Sequence, residues 1–409
     1  MSPRGDAPAG ARKTRQGAGG ASAGGASAGA AKLVSGKRII VACGPGGVGK
    51  TTMAAALGVF AAIRDGGKVL VVTVDPARRL ADALGIGSIG NTQRQVPMAA
   101  FEEAGVKPKG ELWAAMLDMK ESWDDLVRRH APDAATRDHI LSNPLYQSIS
   151  ARFVQSQDYI AMERLYQIYT DGDYDLVIVD TPPSRNALDF LDAPKRMADF
   201  FSSRLLKWLL VPYRAKWINV ASRPFYQIAD RILGSQFLTD ISDFFASFQT
   251  MYDGFVRRAQ AVERLIEGRE TSFIVISTLE EVPLREARTF LDELGSRGLG
   301  LSAVLLNKVL PAYLRDPKAL ALAGQLESET AEIAAEIAGS VTGVDAETLA
   351  RVLAEMARGF NDFHASAERE ARLRKRLEDR SLPVMAVPYM DTEVTDLRGL
   401  FTLAEAIET

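Results

Sequence analysis

Eight residues, GPGGVGKT from Gly44 to Thr51, satisfy G-x-x-x-x-G-K-[ST] at every position. Nothing else in the chain constrains the fold so tightly. By average residue frequencies, a chance match in a chain of 409 residues has a probability of ~0.02. The flanks supply the context the motif needs. RIIVAC (Arg38 to Cys43) is a short, β-branched run of strand length. After the motif, Met53, Leu57, Phe60 and Ile63 recur at helical spacing until Gly66-Gly67 stops the pattern. In such a loop the glycines let successive backbone N–H groups converge on phosphate oxygens, and the helix N-terminus adds its positive dipole end. The expected nucleotide contacts are Gly44, Pro45, Gly46, Gly47, Val48, Gly49, Lys50, Thr51 and Thr52. Lys50 supplies a point charge to the β- and γ-phosphates, and the Thr51 hydroxyl is a ligand for Mg²⁺. Cys43, the one cysteine, reads as a small buried strand residue rather than a redox sensor.

Further apolar runs follow the same form: KVLVVTVD (Lys68 to Asp75), LVIVD (Leu176 to Asp180), FIVIST (Phe273 to Thr278), SAVLLNK (Ser302 to Lys308), VMAVP (Val384 to Pro388) and the weaker LWAAML (Leu112 to Leu117). Strands apolar on both faces, alternating with helical segments, predict an α/β fold with a doubly wound, mostly parallel sheet. Asp75 and Asp180 each end a strand, where ligands of open α/β sheets bind. An aspartate after four apolar residues is the Walker B pattern, which holds Mg²⁺. A lone strand-end aspartate is more often a helix cap or turn residue; two of them beside a phosphate loop favour the metal, for which Asp180 is the candidate.

Between residues 190 and 256 lie 14 of the 31 aromatic residues, with no strand pattern. Phe200, Phe201, Leu205, Trp208 and Leu209 recur at helical intervals, as do Ile241, Phe244, Phe245, Phe248 and Tyr252. This predicts an inserted helical subdomain. Its stripes fit a client groove and the insertion's own core equally well. A last long helix is expected from Asp345 to Asp379, with Leu349, Val352, Met356, Phe360, Phe363 and Ala367 on one stripe. Residues 1–31 contain ten Ala, eight Gly and three Ser, so 1–36 reads as a disordered, solvated tail with structure starting near Lys37. The expected divisions are a P-loop core over 37–117, helical insertion over 118–172, core again over 173–188, insertion over 189–268, and the remaining core over 269–409. The net charge of −3 gives no argument for a nucleic-acid partner. No apolar run approaches the length of a spanning helix, and no secretory signal opens the chain. A cytoplasmic protein is expected.

GPGGVGKTT, VDPARRLADAL, DTPPSRNALDFL and VLLNKVLP, in this order and spacing, resemble the arsenical pump-driving ATPase (ArsA) family, deviant P-loop NTPases that include the ATPases targeting tail-anchored membrane proteins. The resemblance runs from Lys37 to the closing VPYMDTEVTDLRGL. It implies ATP hydrolysis with Mg²⁺, coupled to handling of an apolar client, with an anion or arsenite efflux subunit as the alternative. It also implies that Asp75 activates the attacking water, that Asp180 lies near the magnesium, and that Asn307 recognises adenine. The segment from Pro388 would close over the nucleotide, and the subunits would dimerise, with a second copy or a paralogue. Three departures stand out. The family's signature lysine after the first glycine is here Pro45. One cysteine cannot supply the three thiolates an arsenite site uses, and the paired Cys-x-x-Cys of the targeting members is absent. Arg78, Arg79 and Arg185 either replace the lysine as an arginine finger or form surface and interface ion pairs.

Overall fold

A computed structural model describes residues 28–74, 79–87, 89–144, 146, 147, 154–181, 250–338, 340, 343–378 and 383–408, with residues 192, 195, 196, 199, 244, 246 and 247. Its centre is an eight-stranded sheet formed by β1 (Ile39–Cys43), β2 (Lys68–Thr73), β3 (Arg94–Gln95), β4 (Glu111–Met116), β5 (Leu176–Asp180), β6 (Thr271–Thr278), β7 (Leu301–Val309) and β8 (Val384–Pro388). The spatial order is β3-β4-β2-β5-β1-β6-β7-β8. Every neighbouring pair is parallel except β3 with β4. All seven runs expected as strands are strands, and the short antiparallel edge β3 is the addition.

Alternation along β1 shows why both faces had to be apolar. Ile40 and Ala42 enter one core cluster while Ile39, Val41 and Cys43 enter the other. The first cluster packs under α2 (Lys50–Arg64) and α13 (Leu397–Glu405), with Met53, Leu57 and Phe60 meeting Leu400 and Leu403. The second packs under α7 (Val154–Asp171), α8 (Tyr252–Glu267) and α9 (Glu281–Ser296). Because β2, β5 and β1 are parallel neighbours, their carboxyl ends lie side by side.

Two expectations need correction. The Ala/Gly-rich tail does not run to residue 36, because α1 (Ala28–Val34) is a helix whose Gly29, Ala30, Leu33 and Val34 are buried. A Cβ on Gly29 would lie 2.3 Å from the Ile407 carbonyl oxygen. Small residues here mean close packing on the C-terminus, which composition alone hides. The connection from β7 to β8 holds the long helix expected from Asp345 to Asp379 and further helices before it. It comprises a 3₁₀ turn (Ala312–Arg315), α10 (Pro317–Ser328), α11 (Thr330–Ala338) and α12 (Ala346–Glu378). Second, the stripe on α12 is split: Ala367 is buried, but Val352, Met356 and Phe363 are exposed.

The helical segments before β5 are α5 (Met119–His130), α6 (Ala134–Ser142) and α7. With α8 they enclose a third cluster of Trp123, Leu126, Ile140, Tyr146, Ile160 and Phe255, which also takes in Phe244. The Phe244 ring lies 6.2 Å from that of Tyr146 and is 4% exposed. At this position the insertion packs its own core. Phe200, Phe201, Leu205, Trp208, Leu209, Ile241, Phe245 and Phe248 lie outside the described residues. Two short helices, α3 (Arg79–Ala83) and α4 (Met98–Glu103), lie between β2 and β4.

Candidate nucleotide site

β1 ends at Cys43 and α2 starts at Lys50, so the phosphate loop is the connection between the sheet's centre and the helix packed on it. Gly44, Gly47 and Gly49 adopt φ of 147°, 78° and 93°. Gly49 is constrained twice: its φ lies in the left-handed region, and a Cβ would sit 2.5 Å from Asn307 Nδ2. The Lys50 ammonium is buried and donates to the Pro45 carbonyl at 2.8 Å. Position 45, where the family resemblance expects a lysine, is thus a buried loop residue that turns its carbonyl to Lys50. The Val48 side chain belongs to the first core cluster, so its contribution to a ligand is confined to backbone.

Asp180, at the end of β5, is 1% exposed. Its Oδ2 accepts from Thr51 Oγ1 at 2.7 Å and from Thr73 Oγ1 at 2.8 Å. One carboxylate oxygen therefore ties the phosphate loop to the ends of both β2 and β5. Thr73 escaped the sequence reading because a threonine is ordinary in a strand; its place one strand from Asp180 becomes visible only through the register Thr73↔Asp180. A threonine hydroxyl and a carboxylate at this distance are the hard oxygen donors that Mg²⁺ takes, the remaining positions being filled by water and phosphate. The residues fit the ion.

Asn307, near the end of β7, is 6% exposed. Its Nδ2 donates to the Val48 carbonyl at 2.8 Å, and its Oδ1 accepts from the Lys308 backbone N–H at 2.9 Å. Lys308 has φ 59°, the one non-glycine with positive φ among the described residues, a conformation stored most often at functional sites. A cavity of about 720 Å³ opens between these elements. Gly47, Gly49, Lys50, Thr51, Thr52 and Thr181 line its floor. Asn307 and Lys308 line one wall, and Pro388 to Thr395 the opposite side. Gly44, Pro45, Gly46, Val48 and Asp180 are not among the lining residues. Lys308, Tyr389 and the carboxylates Asp82, Asp391 and Glu393 also line the cavity and were not assigned from sequence. The signal for Lys308 and Tyr389 was their adjacency to Asn307 and Pro388; the carboxylates carried none.

Cys43 is buried, and its Sγ donates to the Ile274 carbonyl at 3.5 Å. Burial pushes the thiol up to about 12 against a smaller opposing pull from Lys50, so it is chemically quiet. Asp75, Arg78 and Arg185 lie outside the described residues, as does the Arg79 side chain.

Strand, glycine loop, buried lysine and a strand-end carboxylate on the loop threonine define a P-loop nucleotide-hydrolysing α/β protein. More narrowly, residues 37–333 match the family described as anion-transporting ATPase (ArsA_ATPase), and the chain belongs to that family. A protein of Aquifex aeolicus named as an arsenical pump-driving ATPase is 27% identical over 286 residues, 67% of this chain and 64% of its own length. The chain thus spans less than two thirds of that relative. An ATPase ASNA1 homolog of Entamoeba dispar is 25% identical over 272 residues, covering 66% of this chain and 75% of its own. ATPase BagA of Mycobacterium tuberculosis is 21% identical over 385 residues, 91% and 93% of the two chains. No described helix is long and apolar enough to cross a membrane.

Proposed function

We propose that this ATPase is a conformational switch that couples ATP binding and hydrolysis to the handling of an apolar client, such as a membrane-protein segment. The observation that carries the proposal is the double anchoring of Asp180. It holds the phosphate loop through Thr51 and the end of β2 through Thr73. Its strand is fed directly by α7, which comes from the helical insertion. A change of partner at Asp180 on nucleotide binding would therefore act on both strand ends at once, and on the helix behind β5.

In this account the phosphate-loop N–H groups and Lys50 bind the β- and γ-phosphates, and Asn307 and the segment from Pro388 hold the base. Thr51 and Asp180 would hold Mg²⁺, which when bound neutralises charge building up on the phosphates. Asp75 orients the attacking water and takes its proton, as the family resemblance implies. Two chains, alike or paralogous, would pair across their nucleotide faces, and a cytoplasmic setting fits such a client. A subunit of an anion or arsenite pump is the second reading, favoured by the names of relatives. Against arsenite stands the single, buried Cys43.

The test is to isolate the chain with ADP and AlF₄⁻, or with ADP alone, and identify what is cross-linked to it. Apolar membrane-protein segments enriched in one nucleotide state are expected. The same associated proteins in both states would contradict the switch, and ATPase stimulation by arsenite would favour the pump.

A further inference from the structure

Lys308 is held in a conformation that a lysine disfavours. Its φ of 59° suits glycine, and a Cβ there adds strain. The strain sits in a bulge: from Leu306 to Val309 β7 advances three residues while β8 advances two, from Ala386 to Pro388. An extra residue of this kind re-aims a side chain beside a site, and Lys308 lines the nucleotide cavity. Among the described residues of that lining, Lys50 and Lys308 are the cations, against the carboxylates of Asp82, Asp391 and Glu393. Without Lys308 a site for a polyanion would set one lysine against three carboxylates.

A strained residue persists where its surroundings over-determine it. Here three hydrogen bonds from three elements fix successive peptides. Asn307 Oδ1 accepts from the Lys308 N–H, the Val309 carbonyl accepts from the Tyr389 N–H beyond β8, and Glu370 Oε2 on α12 accepts from the Leu310 N–H, each at 2.9 Å. α12 grips the same segment again at the 3₁₀ turn, where His364 Nδ1 donates to the Leu314 carbonyl at 2.7 Å. Glu370 is half-buried, with Glu280, just before α9, and Arg315 of the 3₁₀ turn acting on it. Burial holds its pKa above the usual carboxylate value and Glu280 adds to the rise, against the Leu310 N–H and Arg315. The Leu310 N–H is the contact that offsets the carboxylate's lost hydration.

We propose, on the reading of this cavity as the nucleotide site, that Lys308 is a nucleotide-binding cation and that Glu370 is its positioning residue. Glu370 holds the Leu310 peptide, the bulge keeps its shape, and Lys308 stays turned to the nucleotide. The long helix α12 thereby takes part in ATP affinity from outside the cavity, through one carboxylate and the backbone of residues 308–310.

Calorimetric titration of the full chain with ATP and Mg²⁺ tests this as a cycle. Lys308→Gly removes the cation and takes the positive φ without strain; it should weaken ATP binding about tenfold. Glu370→Ala should weaken it at least about threefold, and Glu370→Gln, whose amide oxygen still accepts from Leu310, should stay within about twofold of wild type. Glu370→Asp, one methylene short of the Leu310 N–H, should fall between them and reads the clamp even where alanine unfolds the chain. In the Lys308→Gly background Glu370→Ala should cost no further affinity, because a glycine needs no clamp and the cation is already gone. ATP binding as tight as wild type in Lys308→Gly, or in both Glu370→Ala and Glu370→Asp, would overturn the proposal. So would costs that add in the double variant, or a Glu370→Gln protein as weak as Glu370→Ala. A wild type that binds no ATP would instead overturn the reading of the site itself, and this proposal with it.

Discussion

Replacing Asn307 by alanine removes the bridge between β7 and the phosphate loop. The buried amide gives up two hydrogen bonds, to the Val48 carbonyl and from the Lys308 N–H. At a net ~1 kcal/mol each, the loss is about 2 kcal/mol of stability. Lys308 then loses the acceptor on its backbone N–H, one of the contacts that hold its left-handed conformation, which is unfavourable for a residue with a Cβ, so the cavity wall relaxes and ATP affinity falls as well. Asn307→Asp should be worse than alanine, because it sets a charged acceptor against the Val48 carbonyl in a buried site. Gly49 supplies a coupling test. Gly49→Ala drives its methyl into Asn307 Nδ2, so part of its cost should vanish when Asn307 is already alanine, a non-additivity of ~0.5–3 kcal/mol. Urea midpoints of the four proteins of this cycle, with ATP titrations on each, measure both effects. Additive costs, or an Asn307→Asp protein as stable and as tight for ATP as wild type, would refute the bridge.

Asp180→Asn should abolish the Mg²⁺ dependence of ATP affinity while leaving Mg²⁺-free binding nearly unchanged, measured by titration with and without chelator. Cys43 should not react with a thiol reagent at pH 8 in the native protein and should react fully in denaturant. Because its folded value lies near 12 and its ordinary value near 9, the unfolded chain loses the proton first, and Cys43 should contribute a fall in stability from pH 9 upward. Comparing that slope with Cys43→Ala checks the sign. Asp396→Ala removes the cap on α13, where Oδ1 accepts from the Gly399 N–H at 2.7 Å; about 1 kcal/mol of stability should go, together with ATP affinity, since residues 388–395 line the cavity.

The sheet and phosphate loop were legible because their signals are local: apolar runs bounded by turns, and glycines at fixed offsets. Asp180 was legible for the same reason, lying at the end of such a run. Thr73 was not, since its role depends on which strand is its neighbour. α1 was hidden by composition, because alanine and glycine signal disorder and close packing alike. The α12 stripe was read correctly as apolar, but periodicity cannot say which turns are covered. Val352 and Met356 carry the same pattern as Ala367 and end in solvent. For the helical insertion the pattern left groove and core open, and Phe244 falls in a core cluster it shares with Tyr146, nearly a hundred positions earlier.

If ATP is hydrolysed at the loop where Lys50 meets Pro45, hydrolysis must depend on the Lys50 ammonium. Single-turnover hydrolysis of radiolabelled ATP by wild type and Lys50→Ala, each in excess over nucleotide with Mg²⁺, tests it directly. Wild type should release phosphate, and Lys50→Ala should do so at a rate at least about a hundredfold lower, with the same unfolding midpoint within a degree or two. Release at a near wild-type rate by purified Lys50→Ala protein would contradict it.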